Sequence, residues 1–372
     1  MKFRNTFPVI VAALFVLSPA IKLVAQTLAP AVSGVSGTLS HGSTVTVAGS
    51  NFGSKPTAAP VKYDDFQSVP QGSGIAATST AGGATWRNQT TDQQFPPIAS
   101  NRRLRSGTPF TVNMTSHWQQ PQGGGGGVSN VYLVGQSFVK LYFDAWMYYD
   151  AAGQTSPTQN IKPFRLHQLN AGSPNAYVNI YAPSTGGAAA CGRDGVTRSD
   201  SDWAGGGVTS ATFYNRWVHV QWIIDAGAGN NTSTGSCILY INGALVYNHT
   251  SVPTIGSGYY SWPELYVGNY IRTGDWSGET FTQWESLYID NSWARVEIGD
   301  NAIYNNCTHR EIQVPNSWSN GSIGVRLNRG SFASLNGLYL FVVNANGTAS
   351  AGYPLNGTGG PSTPTNLRIT PP

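Results

Sequence analysis

Arg216–Gly227 reads RWVHVQWIIDAG and, after a polar Gly/Asn/Thr/Ser loop, Ser236–Asn248 reads SCILYINGALVYN. In the first run Val218, Val220, Trp222 and Ile224 alternate with Trp217, His219, Gln221 and Asp225. That is the period-two pattern of a strand with one buried face. In the second run Asn242-Gly243 sits between β-formers and signals a two-residue hairpin turn. Together the two runs predict the centre of an antiparallel sheet.

The composition agrees with an all-β chain: 44 Gly, 22 Pro, 12% aromatic and only 10% charged residues imply many turns and short strands. At 372 residues, two domains are expected. Lys2, Arg4 and Lys22 lie in an N-terminal stretch without acids, which leaves 18 bases against 17 acids elsewhere. Such a balance gives no basis for capture of nucleic acid or of a charged membrane surface.

Residues 1–25 carry Lys2 and Arg4, an apolar run from Pro8 to Leu17, and small residues at Ala20 and Ala25. This reads as a signal peptide, with an apolar run too short to span a bilayer. The expected product is secreted, extracellular or at the cell surface, without membrane insertion. In an oxidising compartment a disulfide between Cys191 and Cys237 is expected, leaving Cys307 over.

The W-x-H-V strand followed by a strand ending in I-N-G-x-x-V resembles the concanavalin A-like jelly roll of laminin-G-type, lectin and polysaccharide-lyase domains. Tyr63-Asp64-Asp65-Phe66 and the LYIDNSWARVEIGD stretch, Leu287 to Asp300, match its opening and closing strands, so residues 63–300 are assigned to it. The resemblance implies a β-sandwich whose concave sheet stacks rings on sugars, in binders and enzymes alike. It also implies a structural Ca²⁺ near the first and last strands, which here would fall to Asp64, Asp65 and Asp290; capping of turns by these acids is the alternative.

Outside that module, the TVTVAGSNFG run within residues 30–62 resembles the first half of an IPT/TIG immunoglobulin-like domain, and residues 301–355, with Trp318-Ser319 and LYLFVVNANGTAS, resemble its second half. The expectation is a jelly roll inserted into a split immunoglobulin-like sandwich; two unrelated β-rich flanks are the alternative. Residues 356–372 are a Gly/Pro/Ser/Thr-rich tail or linker.

Sorting by parity isolates the chemistry. In residues 139–149 Tyr142, Trp146 and Tyr148 oppose an apolar set; near 164–167 Arg165 and His167 oppose Phe164 and Leu166; in 176–181 Tyr177, Asn179 and Tyr181 oppose Val178 and Ile180; in 217–224 Trp217, His219 and Gln221 oppose the valines. Successive strand residues face opposite sides, so these sets are expected to share one polar-aromatic face that binds a polysaccharide or cell-surface glycan. Covering of that face by other parts of the chain is the structural alternative.

Whether the chain is an enzyme stays open at this point. A polysaccharide lyase, acting by β-elimination on a uronic-acid polymer, would draw its neutraliser and base from Arg165, His167, Tyr181 and His219. The R-x-E-L-R and Q-I-H motifs of alginate-lyase jelly rolls are absent. A retaining glycosidase is disfavoured, because Glu285 and Asp290 are five apart and a regular strand puts them on opposite faces, whereas the reaction needs carboxyls about 5–5.5 Å apart. A non-catalytic glycan binder is favoured, and a structural or adhesive surface protein is the third reading.

Overall fold

The computed structural model describes residues 28–75, 82–91, 94–119, 127–150, 160–167, 175–181, 189–194, 202–203, 210–271 and 279–355. In chain order the strands are β1 (Ala31–Ser36), β2 (Thr44–Ser50), β3 (Lys62–Asp64), β4 (Arg87–Thr91), β5 (Ile98–Ser100), β6 (Asn113–Gln119), β7 (Gly127–Leu133) and β8 (Lys140–Asp150). There follow β9 (Asn160–His167), β10 (Asn175–Tyr181), β11 (Ala189–Asp194), β12 (Asp202–Trp203), β13 (Trp217–Asp225), β14 (Gly235–Ile241) and β15 (Ala244–Val252). The last are β16 (Glu264–Ile271), β17 (Glu279–Asp290), β18 (Arg295–Gly299), β19 (Arg310–Trp318), β20 (Ser322–Arg326), β21 (Leu338–Val343) and β22 (Tyr353–Leu355).

They pair antiparallel into three sheets. The central sheet runs β15-β14-β13-β8-β17-β6-β5, with β3 on β17; the outer sheet runs β12-β11-β10-β9-β16-β7-β4. Their inner faces meet in one apolar core, where Phe143 stacks on Phe164 at 4.7 Å and Phe164 meets Trp222 at 5.3 Å. This is an all-β jelly-roll sandwich. The Asn242-Gly243 turn joins β14 to β15 with both residues at positive φ, 49° and 77°, as a hairpin turn matched to the strand twist requires.

The third sheet takes strands from both ends of the chain, in the order β1-β2-β20-β19-β18-β21-β22, around a core that includes Val45, Val47, Val296, Ile298, Val325 and Val342. Here the structure moves one boundary. The jelly roll ends with β17 at Asp290, and β18, assigned from sequence to the jelly roll up to Asp300, belongs to the terminal sheet. The alternation of RVEIG runs on from the preceding strand with only a short Asn-Ser-Trp-Ala break, so no strong breaker marks the crossing.

The terminal sheet lies on the central one. Tyr63, Tyr142, Ile223 and Tyr288 of the central sheet pack against Ile312 and Val314 of β19. Part of the central sheet is therefore buried on both faces. Cys237 is disulfide-bonded and Cys307 is free, while the side chain of Cys191, the expected partner, lies outside the described residues. The signal-peptide and tail assignments, residues 1–25 and 356–372, also lie outside them.

Candidate functional site

The expected single face is two faces. Strands β8 and β13 are neighbours in the central sheet, whereas β9 and β10 are neighbours in the outer sheet, so the polar sets of the two pairs lie on opposite sides of the sandwich. Parity assigns a residue to one side of a strand; it cannot say which sheet the strand joins.

Six of the expected glycan-binding residues, Tyr142, Trp146, Tyr148, Trp217, His219 and Gln221, therefore sit on the face of the central sheet that the terminal sheet partly covers. Gln221 donates from Nε2 to Glu297 Oε1 at 2.7 Å and to Asp144 Oδ2 at 2.9 Å, and accepts from Arg310 Nη2 at 2.8 Å. His219 is 3% exposed, with Nε2 3.1 Å from both Asp144 oxygens. Trp146 stacks on His219 at 4.9 Å, lies under the Arg105 guanidinium at 4.0 Å, and donates Nε1 to Glu311 at 3.2 Å. Its ring is therefore engaged by protein groups of both the central sheet and the Arg105 loop. Tyr148 and Trp217 are half-buried and meet edge to face at 5.7 Å.

Glu297 is the anchor of this junction. It accepts hydrogen bonds from Gln221, Tyr142 and Tyr304 and lies 3.4 Å from Arg295 and 3.9 Å from Arg310. Burial would raise its pKa, but the two guanidiniums outweigh burial and hold the carboxyl down to about 2. Most of these polar groups meet protein partners of opposite charge or complementary hydrogen bonding, although the Nε atoms of Arg295 and Arg310 make no hydrogen bond among the described residues.

A second ionic group ties a jelly-roll loop to the terminal sheet. Arg105 bonds Glu285 at 2.7 Å and Glu311 at 2.5 Å, and His309 lies 2.7 Å from Glu311. Gly330, at φ +50°, leaves the space that the Glu311 carboxylate fills, since a Cβ there would meet it at 1.9 Å. Glu285 reaches this group because β17 carries a bulge between Glu285 and Tyr288, with Ser286 at φ +54°. The bulge corrects the sequence reading: Glu285 pairs with Trp146 and Asp290 with Tyr142, so the two acids share a face. Each is matched to a buried cation, Arg105 for Glu285 and Lys55 for Asp290.

Burial, against the pull of Arg105, pushes the Glu285 carboxyl up to about 7. A raised carboxyl favours the folded state fully below its ordinary value, and that contribution is lost as pH rises through about 7. Glu285→Gln is therefore expected to gain on the wild type by about 2–3 kcal/mol as pH rises from 4.5 to 8. Urea unfolding at a series of pH values measures this; a constant gap between the two proteins contradicts it.

On the outer sheet the arrangement differs. Arg165 of β9 is 6% exposed, and among the described residues neither its Nε nor its Nη2 has a hydrogen-bond partner. Among the described residues no carboxylate forms an ion pair with it. Its guanidinium lies over the rings of Tyr270 at 4.6 Å and Tyr266 at 5.1 Å, and burial lowers its pKa to about 10. His167 meets the edge of Tyr266 at 4.7 Å, Tyr132 stacks on Tyr266 at 4.9 Å, and Lys162 lies 5.3 Å over Tyr270. The Tyr266 hydroxyl donates to Glu264 at 2.9 Å, and burial moves its pKa well above the usual phenol range. Tyr177 on β10 pairs with Arg165 across the strands, but the side chains of Tyr177, Asn179 and Tyr181 lie outside the described residues.

The sequence reading found Arg165 and His167 and missed Tyr132, Tyr266 and Tyr270. The signal was present in ELYVGNYI, where Glu264 and Tyr266 alternate with Leu265 and Val267.

The carboxylates expected to hold Ca²⁺ do not converge. Asp64 accepts from the Trp86 indole at 3.0 Å and lies 3.7 Å from Lys62, Asp65 lies 3.5 Å from Arg326, and Asp290 lies 2.7 Å from Lys55. Among the described residues no group of three His, Cys, Asp or Glu side chains is arranged to hold a metal ion.

No protein-family model and no curated protein sequence matches the chain. Solved structures similar to it include an endo-β-1,4-glucuronan lyase from the fungus Trichoderma reesei, at 16% identity and TM-score 0.41, covering 63% of this chain and 97% of that one. They also include the cellulose-induced protein Cip1, at 11% identity and TM-score 0.39, covering 62% and 97%. A third is domain 4 of AbnA, a GH43 extracellular arabinanase from Geobacillus stearothermophilus, at 13% identity and TM-score 0.36, covering 62% and 95%.

Proposed function

We propose that this chain is a secreted glycan-binding protein whose outer-sheet face holds an acidic polysaccharide, with Arg165 paired to a uronate carboxylate. One observation carries the reading: a guanidinium buried on a sheet face beside Tyr266 and Tyr270, with two nitrogens that have no hydrogen-bond partner among the described residues. An unpaired buried charge is costly, and a planar fork of donors matches a carboxylate better than it matches a neutral hydroxyl. The tyrosine rings around it are the type of surface on which pyranose faces stack.

The lyase reading uses the same arginine as carboxylate neutraliser, but Tyr266 beside it is poorly suited to act as the base. Tyr266 holds its proton more tightly than a free phenol and donates it to Glu264. Of the other candidates, His219 lies on the central sheet and is bound to Asp144, His167 is buried against the edge of Tyr266, and the side chain of Tyr181 lies outside the described residues. Binding without turnover is the reading this geometry supports best.

The test is a panel of uronate-containing and neutral polysaccharides, read by retardation of the protein in a gel and by ultraviolet absorbance of unsaturated chain ends. Retardation by polyuronates without an absorbance rise is the expected result. An absorbance rise makes the chain a lyase, and no retardation by any polymer favours a structural or adhesive role.

A further inference from the structure

The chain passes between the jelly roll and the terminal sheet twice, through residues 51–61 and residues 291–294. Lys55 lies on the first crossing and Asp290 ends the strand before the second. Their side chains are 0% and 2% exposed, and Nζ lies 2.7 Å from Asp290 Oδ2. The same ammonium donates to the carbonyls of Ala58 at 2.7 Å and Thr57 at 3.0 Å, with that of Ala59 at 3.4 Å. Tyr288 donates its hydroxyl to Asp290 Oδ2 at 3.0 Å, which fixes the carboxylate.

One carboxylate and a run of backbone carbonyls at the junction of first and last strands is an all-acceptor set, the donor-free chemistry that hard cations select. An ammonium carries three N–H donors and no acceptor, so it satisfies the same set. Its distances here exceed the roughly 2.3–2.6 Å of calcium–oxygen bonds, so the cage fits an ammonium rather than a calcium ion. The other acids that would complete a calcium shell are committed elsewhere, Asp64 to Trp86 and Lys62, and Asp65 to Arg326.

We propose that Lys55 is a tethered cation that fills this oxygen cage in place of a bound metal ion, and so clamps both crossings of the chain without a divalent cation. The tether gives the charge an effective concentration that no free ion has to match. Removing it strands a buried carboxylate and several carbonyls where the chain crosses between the jelly roll and the terminal sheet.

Thermal unfolding of the full chain tests this. The wild-type midpoint is expected to be the same in EDTA and in calcium chloride. Lys55→Met, which keeps the length of the side chain and removes the charge, is expected to lower it by about 5–10 °C. Lys55→Met with Asp290→Asn, which removes the stranded charge as well, is expected to recover at least half of that loss. Lys55→Ala is expected to be raised by added propylammonium ion, which refills the cage. A wild-type midpoint that falls in EDTA or rises with calcium overturns the proposal, as does a Lys55→Met midpoint within about 1 °C of wild type, the range of ordinary surface substitutions. Should Lys55→Met not fold, the double variant and the wild-type cation series decide the matter.

Discussion

Arg165→Met is expected to abolish retention of acidic polysaccharide while leaving the protein at least as stable as the wild type. The two effects have one cause. In the free protein the guanidinium is buried, with no hydrogen-bond partner for Nε or Nη2 among the described residues, so its desolvation is only partly offset by the rings of Tyr266 and Tyr270. Methionine has a comparable unbranched stem and no charge to desolvate, and apolar replacement of a poorly paired buried charge is neutral or stabilising. In the complex a desolvated charge-assisted pair is lost, which costs about 2–5 kcal/mol, or roughly 30-fold to more than 1,000-fold in affinity. Arg165→Lys keeps the charge but not the fork, and a weakening of about tenfold is expected. Urea unfolding and gel retardation on the same preparations read both effects; a Met variant that loses stability and keeps affinity places Arg165 in the framework rather than in the site.

The second large effect is expected at the junction. Glu297→Gln should destabilise the protein by about 3–5 kcal/mol, because Arg295 and Arg310 are then buried without their carboxylate. Gln221 and Tyr142, which donate to the same oxygen, and Tyr304, which donates to the other, lose a charged acceptor too. The folded fraction should bind acidic polysaccharide as the wild type does, since this network backs the central sheet and Arg165 lies on the outer one. Unfolding midpoints and retardation measured on the folded variant check this; lost binding with an unaltered midpoint would return the ligand to the face of His219 and Gln221.

That face shows what the sequence discloses and what it does not. Alternation in RWVHVQWIID identified which residues of β13 point away from the core, and Asn242-Gly243 marked its hairpin, because both signals are local. Alternation is blind to what lies over the outward side. The cover is the terminal sheet, and its contacts join residues far apart in sequence: Arg105 to Glu311, Gln221 to Arg310 and Tyr142 to Glu297. Nothing in a local window announces them. The same holds for β9, where Arg165 could be listed as a polar outward residue but not assigned to a different sheet from His219. The bulge at Ser286 is a further case, since one extra residue reverses every parity argument that spans it. Lys55 drew no notice, because a lone lysine in a loop is ordinarily solvated.

The most direct measurement of the account is a calorimetric titration of the full chain with a polyuronate and, under the same salt, with the same polymer after its carboxylates have been reduced to alcohols. If Arg165 is the recognition centre, the parent polymer binds and the reduced one binds at least tenfold more weakly, because the hydroxyl offers no charge to the buried guanidinium. Equal affinity for the two polymers, or none for the parent, contradicts it.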